Sequence, residues 1–235
     1  MKTIKKLCLL VVYATWAVGI ANVASAQEVT VLEHMHDHHD AVIKIQRAVI
    51  AGSLEDTREP ARWLIEHESP IGLPARWEEH VDAMRTAARD TLNAQDVTSA
   101  AGATSRLGVA CGGCHIANNV TVEFEDVKKP SDKGKASPHM QRHQWAADRM
   151  WEGIIGPSSL SWRRGASLLF EAPMNPEALG AEAGDDALLG MARRIHQLAG
   201  NATVVSEPVE KAEIYAEFLA NCATCHVLLE EGPRP

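Results

Sequence analysis

Residues 111–115 read Cys-Gly-Gly-Cys-His, and residues 222–226 read Cys-Ala-Thr-Cys-His. The pattern C-x-x-C-H is typical of covalent haem c attachment, because two thiols bond to the two vinyl groups of one porphyrin and the adjacent imidazole binds its iron. We therefore expect the chain to carry two covalently bound haem c groups. The expected attachment residues and proximal iron ligands are Cys111, Cys114, His115, Cys222, Cys225 and His226.

Two cysteines at this spacing also occur in disulfides, in redox-active dithiols and in zinc sites. None of these alternatives explains why a histidine follows both pairs. The fifth cysteine, Cys8, belongs to an N-terminal segment that is expected to be removed, so the two motifs use every remaining cysteine. Haem attachment is therefore the favoured interpretation.

The N-terminal segment has the features of a secretory signal peptide. Three lysines among the first six residues precede an apolar run over residues 7–20, and Ala24-Ser25-Ala26 provides a small-residue cleavage site. We expect a signal peptide over residues 1–26 and a periplasmic mature protein. The apolar run is short for a bilayer span, and no later stretch is long and apolar enough to cross a membrane.

Charge and length narrow the possible functions of the mature chain. Removal of three lysines changes the formal charge from −8 to −8 − 3 = −11. A strongly negative chain argues against nucleic acid as a partner. The remaining 235 − 26 = 209 residues are enough for one large domain or two small ones.

The mature chain contains an internal repeat. The pattern His-Met-x-x-His at residues 34–38 recurs at 139–143, an offset of 139 − 34 = 105. The haem motifs recur at 222 − 111 = 111, so both ends of one ancestral unit are found twice. We expect homologous halves over residues 27–118 and 138–235, joined by a linker over 119–137.

Apolar residues recur at helical spacing throughout both halves. The predicted fold is all-α, with two tandem four-helix bundles, because short connections favour antiparallel neighbours. A second helix is expected to begin at Pro60, since proline suits a first helical turn. In such a bundle the first helix begins where the last one ends, which would bring His38 beside His115 and His143 beside His226.

The sixth iron ligands are expected to be His38 and His143. Each histidine begins an apolar stripe along the first helix of its half, so its imidazole would face the haem. Met35 and Met140 are the rival ligands, and an open iron site is a further alternative. His36 and His39, which the second half does not repeat, could form a separate small copper or zinc site with Asp37.

A haem motif at the end of the last helix of a four-helix bundle, with a distal group on the first helix, resembles the class II cytochromes c. These proteins include cytochrome c′ and its Met-ligated relatives. The resemblance covers each half of the mature chain. It implies a tandem diheme cytochrome c built from two such bundles.

Two haems without a recognisable substrate-binding motif favour an electron carrier over an enzyme. We expect a periplasmic cytochrome that transfers electrons between redox partner proteins, with both irons six-coordinate. The alternative is a gas-binding or small-molecule redox protein, such as a peroxidase or an NO-handling protein, with one open iron. A subunit of a larger dehydrogenase or oxidase complex is a third possibility.

Overall fold

The computed structural model describes residues 31–67, 74–131, 136–171 and 186–229. The described residues contain helices and connecting segments but no strand, so the predicted all-α fold is confirmed. The expected signal peptide over residues 1–26 lies outside the described residues. None of the described helices combines the length and the apolarity needed to cross a membrane.

Eight α-helices make up most of the described chain. Helix α1 covers residues 31–50. The others are α2 (Leu54–Glu66), α3 (Glu78–Leu92), α4 (Val97–Ala117), α5 (Ala136–Ile155), α6 (Ser159–Glu171), α7 (Asp186–Ala202) and α8 (Pro208–Leu229). Apart from the first ten residues of α1, which belong to a second unit, these helices lie in one compact unit.

Helix α2 begins six residues earlier than the sequence predicts. Its first residue is Leu54, and the side chain of Ser53 caps it by accepting a hydrogen bond from the Asp56 N–H. Pro60 lies inside the helix, where its missing N–H removes one hydrogen bond. The prediction was wrong because the N-cap at Ser53 outweighs the preference of proline for a first turn.

Helices α5 and α6 run antiparallel and approach closely through glycines. A Cβ added at Gly153 would lie 2.6 Å from the backbone nitrogen of Trp162. A Cβ added at Gly165 would collide with the backbone oxygen of Ala146. The residue later on α6, Gly165, thus contacts the residue earlier on α5, Ala146. The two helices therefore point in opposite directions.

Helices α6 and α7 are also antiparallel. The Trp162 indole N–H, near the start of α6, donates to the backbone oxygen of Ala202 at the end of α7, at 2.7 Å. Phe170, near the end of α6, stacks on His196 with a ring-centroid distance of 4.6 Å. The later residue of α6, Phe170, thus contacts the earlier residue of α7, His196. The two helices therefore point in opposite directions.

Helix α8 runs antiparallel to α7 and therefore to α5. The connection between α7 and α8 covers only residues 203–207. The guanidinium of Arg194 on α7 donates two hydrogen bonds of 2.5 Å to the carboxylate of Glu217 on α8. The Lys211 ammonium, near the start of α8, lies 5.8 Å from the ring centroid of Trp162. The start of α5 and the end of α8 therefore lie at the same end of these helices.

Helix α4 runs parallel to α5 and antiparallel to α8. A Cβ added at Gly108 would lie 2.7 Å from the Trp151 ring, and one added at Gly112 would collide with the backbone oxygen of Ile154. These contacts advance in the same direction along both helices. Because α4 also packs against α8, the two C-x-x-C-H motifs, each near a helix C-terminus, lie at opposite ends of the α4/α8 pair.

The two halves share a buried core. The amide of Gln46 on α1 donates a 2.8 Å hydrogen bond to the hydroxyl of Tyr215 on α8. The same hydroxyl donates to the backbone oxygen of Ala147 on α5, at 3.1 Å. Trp151 is fully buried, and its ring centroid lies 5.6 Å from that of Tyr215. The division into two separate bundles stays a prediction.

The first part of the expected linker lies along α5. The Trp145 indole N–H donates to the backbone oxygen of Val127 at 2.8 Å, and Arg149 donates to that of Glu125 at 3.3 Å. A Cβ added at Gly156 would lie 2.5 Å from the ring of Phe124. This segment is therefore held by side chains of the second half, although it has no regular secondary structure.

Candidate functional site

The four cysteines of the motifs lie near the C-termini of α4 and α8. Cys111 and Cys114 are three residues apart on α4, and Cys222 and Cys225 have the same spacing on α8, so each pair lies on one side of its helix. None of the four forms a disulfide bond within the described part of the chain. Burial raises the pKa of the Cys111 and Cys222 thiols to about 12.

The two motif histidines are oriented by main-chain carbonyl groups. The Nδ1 of His115 lies 2.6 Å from the backbone oxygen of Ile155. The Nδ1 of His226 lies 2.7 Å from the backbone oxygen of Ile50. A carbonyl oxygen only accepts hydrogen bonds, so the proton of each neutral imidazole lies on Nδ1 and the lone pair lies on Nε2.

This tautomer is the one that a metal needs. Histidines that bind a metal through one ring nitrogen usually donate the other N–H to a carbonyl or carboxylate, which fixes the ring and raises its basicity. Each motif thus combines two thiols on one helix side with an imidazole whose Nε2 has a lone pair to donate. The residues fit a covalently attached haem with His115 or His226 as its proximal ligand.

Each histidine contact crosses from one half of the sequence to the other. Ile155 ends α5 of the second half, whereas Ile50 ends α1 of the first half. The carbonyl positions differ by 155 − 50 = 105 residues and the histidines by 226 − 115 = 111. These are the offsets of the sequence repeat. The sequence predicted the histidines, but it carried no sign of their partners, because a main-chain carbonyl has no side-chain signature.

Close packing maintains both crossed contacts. Gly52 follows α1 with a φ of 77°, and a Cβ added there would lie 2.5 Å from Cγ2 of Val227, next to the second motif histidine. Gly112 lies inside the first motif, where a Cβ would collide with the backbone oxygen of Ile154. A glycine at each contact thus lets the end of one helix approach the motif of the other half.

Asn118 joins the first motif to the short turn that directly precedes α3. Its Oδ1 accepts hydrogen bonds from Arg76 at 2.9 Å and from the Trp77 indole at 2.5 Å. Its Nδ2 donates to the backbone oxygen of Cys114 at 2.9 Å. Sequence reasoning assigned this asparagine no role, although asparagine just after a helix is a known C-terminal capping signal.

His80 is a second residue that sequence reasoning left without a role. A Cβ added at Gly113 of the first motif would lie 3.7 Å from Nδ1 of His80. The imidazole is therefore next to the motif, on the helix α3 that runs antiparallel to α4. The repeat does not place a histidine at the equivalent position of the second half, so an internal comparison could not have found it.

The repeated histidines of the first helices form similar pairs. The rings of His34 and His38 have centroids 4.2 Å apart and an interplanar angle of 48°. The rings of His139 and His143 have centroids 4.6 Å apart and an angle of 46°. The rival methionines, both partly buried on the same helices, are Met35 and Met140. The assignment of His38 and His143 as iron ligands stays a prediction.

The helix directions bring the start of α5 to the end of α8. His143 lies 155 − 143 = 12 residues before Ile155, which is about 18 Å along α5 from the carbonyl that holds His115. Because α5 and α8 are antiparallel, His143 and His226 share one end of the second half.

The two motifs are widely separated along the helices. Trp151 touches both Gly108 on α4 and Tyr215 on α8. From that level, α4 continues for 115 − 108 = 7 residues to His115, and α8 continues in the opposite direction for 226 − 215 = 11 residues to His226. Seven and eleven residues together correspond to roughly 27 Å along the helix axes.

No protein-family model, curated protein sequence or solved structure matches this chain. The resemblance to class II cytochromes c therefore stays a prediction, and the two sites are interpreted from their own residues.

Proposed function

We propose that the protein is a periplasmic diheme c-type cytochrome that transfers electrons between redox proteins. The observation that carries the proposal is the orientation of His115 and His226, each held through Nδ1 by a main-chain carbonyl next to two thiols of the same helix. A haem held at each motif would supply an iron that exchanges one electron between its Fe(III) and Fe(II) states.

In this proposal, the cysteines and the histidine of each motif have distinct roles. The paired cysteines would anchor the group covalently to one side of a helix. The histidine would bind its iron through Nε2, while the carbonyl on Nδ1 holds the orientation of the ring. The residues proposed for attachment and proximal ligation are Cys111, Cys114, His115, Cys222, Cys225 and His226.

The distal residues close each site in this proposal. His38 and His143 are the proposed sixth ligands, because the repeat retains both and each forms a ring pair with a second histidine. Met35 and Met140 are the alternatives. Ligands on both sides of the iron would hinder the entry of small molecules, whereas electrons could still leave through an exposed haem edge.

The positions of the motifs support electron transfer between two partners. The motifs lie at opposite ends of the α4/α8 pair, roughly 27 Å apart along the helix axes. Two such sites would let a donor and an acceptor bind at different places. The proposed location follows from the expected signal peptide over residues 1–26.

Mass spectrometry of the exported protein tests the proposal directly. The chain is produced with its signal peptide in a bacterium that matures c-type cytochromes, and the mature polypeptide is expected to carry two haem masses. Replacement of both cysteines of one motif by serine (Cys111→Ser with Cys114→Ser) should leave one haem mass. A mature wild-type chain without haem would contradict the proposal.

The spin state distinguishes an electron carrier from a gas-binding protein. We expect EPR and visible spectra of two low-spin, six-coordinate haems that bind CO slowly. The His38→Ala and Met35→Ala variants separate the rival ligands, since only loss of the true ligand converts the first haem to a high-spin form. Rapid CO binding by a high-spin wild-type haem would support the gas-binding alternative instead.

A further inference from the structure

The crossed histidine contacts lead to an inference that rests on the proposed function and goes beyond it. His115 of the first motif bonds to Ile155 of the second half, and His226 of the second motif bonds to Ile50 of the first half. We propose that the end of α1 sets the reduction potential of the second haem, and that the end of α5 sets that of the first.

The physical basis is the effect of the Nδ1 hydrogen bond on its imidazole. A carbonyl that accepts the Nδ1 proton shifts electron density into the ring and makes Nε2 a stronger donor. A stronger donor stabilises Fe(III) over Fe(II) and lowers the reduction potential. Any displacement of the carbonyl therefore raises the potential of the haem to which that histidine is bound.

The carbonyls are held by packing and shielded from solvent. Ile50 and Ile155 are only 3% and 4% exposed, so water has little access to compete for the histidine N–H groups. Gly52 continues from the end of α1 against Val227 and against the backbone oxygen of Ala223, 3.3 Å from its added Cβ. The carbonyl of Ile50 is thus positioned by contact with the second motif itself.

Two glycine substitutions can displace the carbonyls without altering a motif. Gly52→Ala introduces a Cβ 2.5 Å from Val227 Cγ2 at a residue whose φ is 77°, which should move the end of α1. Gly156→Ala, directly after Ile155, introduces a Cβ 2.5 Å from the Phe124 ring and 3.1 Å from the backbone oxygen of Glu152, which should move the end of α5. Each substitution lies in one half, and its proposed effect lies in the other.

Redox titration of the full two-haem chain tests this crossed pattern. Variants that lack the cysteines of one motif assign each potential to its haem. Gly52→Ala should raise the potential of the second haem and change its EPR g-values, while the first haem keeps its wild-type values. Gly156→Ala should do the reverse. Gly190→Ala on α7, whose Cβ meets nothing within 4 Å, is the matched control and should shift neither haem.

A double variant that removes the clash between residue 52 and Val227 provides a second test. Val227→Ala removes the Cγ2 atom that the new side chain would meet, so the double variant with Gly52→Ala should return toward the wild-type potential. If Gly52→Ala fails to fold, Ile50→Val loosens the same helix end by one methyl group and should raise the potential of the second haem alone.

The outcomes separate this inference from the proposed function. A mature chain without haem contradicts the proposed function, and the inference falls with it. Two haems whose potentials respond only to substitutions in their own half, or do not respond to Gly52→Ala and Gly156→Ala in folded variants, contradict the inference and leave the proposed function intact.

Discussion

Gln46 and Tyr215 bond to each other through their side chains inside the core, although 169 residues separate them in the sequence. Both residues are fully buried, and the Tyr215 hydroxyl also donates to the backbone oxygen of Ala147. The pair joins α1, α5 and α8 at one point, so the contact between the halves includes a polar connection as well as apolar packing.

Tyr215→Phe tests this connection. The variant loses both hydrogen bonds of the hydroxyl and leaves the Gln46 amide buried without that partner. We expect the free energy of unfolding to fall by about 1–3 kcal/mol, the usual cost of an unsatisfied buried polar group. Chemical denaturation followed by circular dichroism measures the change.

The double variant of Tyr215→Phe with Gln46→Leu provides the control. Removal of both polar partners leaves no unsatisfied amide, so its loss should be smaller than the sum of the two single losses. Strictly additive losses would mean that the two side chains do not interact in solution.

Gly153→Ala tests the close approach of α5 and α6. The added Cβ would lie 2.6 Å from the backbone nitrogen of Trp162, and the backbone cannot move away as a flexible side chain could. We expect a loss of about 2 kcal/mol or more in the free energy of unfolding. Gly190→Ala, in open space within α7, should instead stabilise the protein by about 0.5–1 kcal/mol. Equal effects of the two substitutions would be inconsistent with the described packing.

Asn118→Ala tests the link between the first motif and the turn that precedes α3. The variant loses the acceptor for Arg76 and Trp77 and the donor to the Cys114 carbonyl. We expect the free energy of unfolding to fall by about 1–3 kcal/mol, measured by thermal or chemical denaturation. Asn93→Ala, at the end of α3, removes a side chain of the same type and should change stability by less than about 0.5 kcal/mol. A neutral Asn118→Ala variant would argue against the link.

Glu152 should make stability depend on pH. It is buried beside Arg149, with which it forms a hydrogen-bonded ion pair, and burial raises the pKa of its carboxyl from 4.5 to about 7. Attraction to Arg149 opposes this shift, and the negative charge of Asp148 adds to it. The folded state therefore binds more protons than the unfolded state between pH 4.5 and about 7, so the contribution of Glu152 to stability falls as pH rises through that window.

Glu152→Gln removes this titration while keeping a hydrogen-bonding partner for Arg149. At pH 4 the variant and the wild type should differ little. At pH 8 the variant should have gained up to about 3 kcal/mol relative to the wild type, the free-energy equivalent of that pKa change. Denaturation at a series of pH values measures the difference. A constant difference between the two proteins across the whole range would contradict a raised pKa at Glu152.

Local signals in the sequence predicted the helical fold and the position of the motifs at helix ends. Pro208 begins α8, as proline at a first helical position should. The start of α2 was predicted wrongly because both Ser53 and Pro60 are residues that favour a helix start. The helix begins after Ser53, whose side chain caps it. The contact of Ile50 with His226 could not be predicted, because it spans 176 residues and involves a backbone atom.

The two copies of the repeat differ in how equivalent residues contact Tyr215. Trp151 and Gln46 occupy equivalent positions, since 151 − 105 = 46, and both contact Tyr215. Comparison of the halves predicts similar surroundings for the two side chains, but it cannot predict that one stacks on the tyrosine ring while the other bonds to its hydroxyl. The choice depends on packing among three helices that are distant in sequence.

The crossed pairs of motif histidines and helix-end carbonyls have the form of an isologous contact, in which residue i of one copy meets residue j of the other and the reverse also holds. The two contacts are thus related by an exchange of the two halves within one polypeptide. Because a contact of this kind closes on itself, it cannot propagate from these surfaces to a third unit.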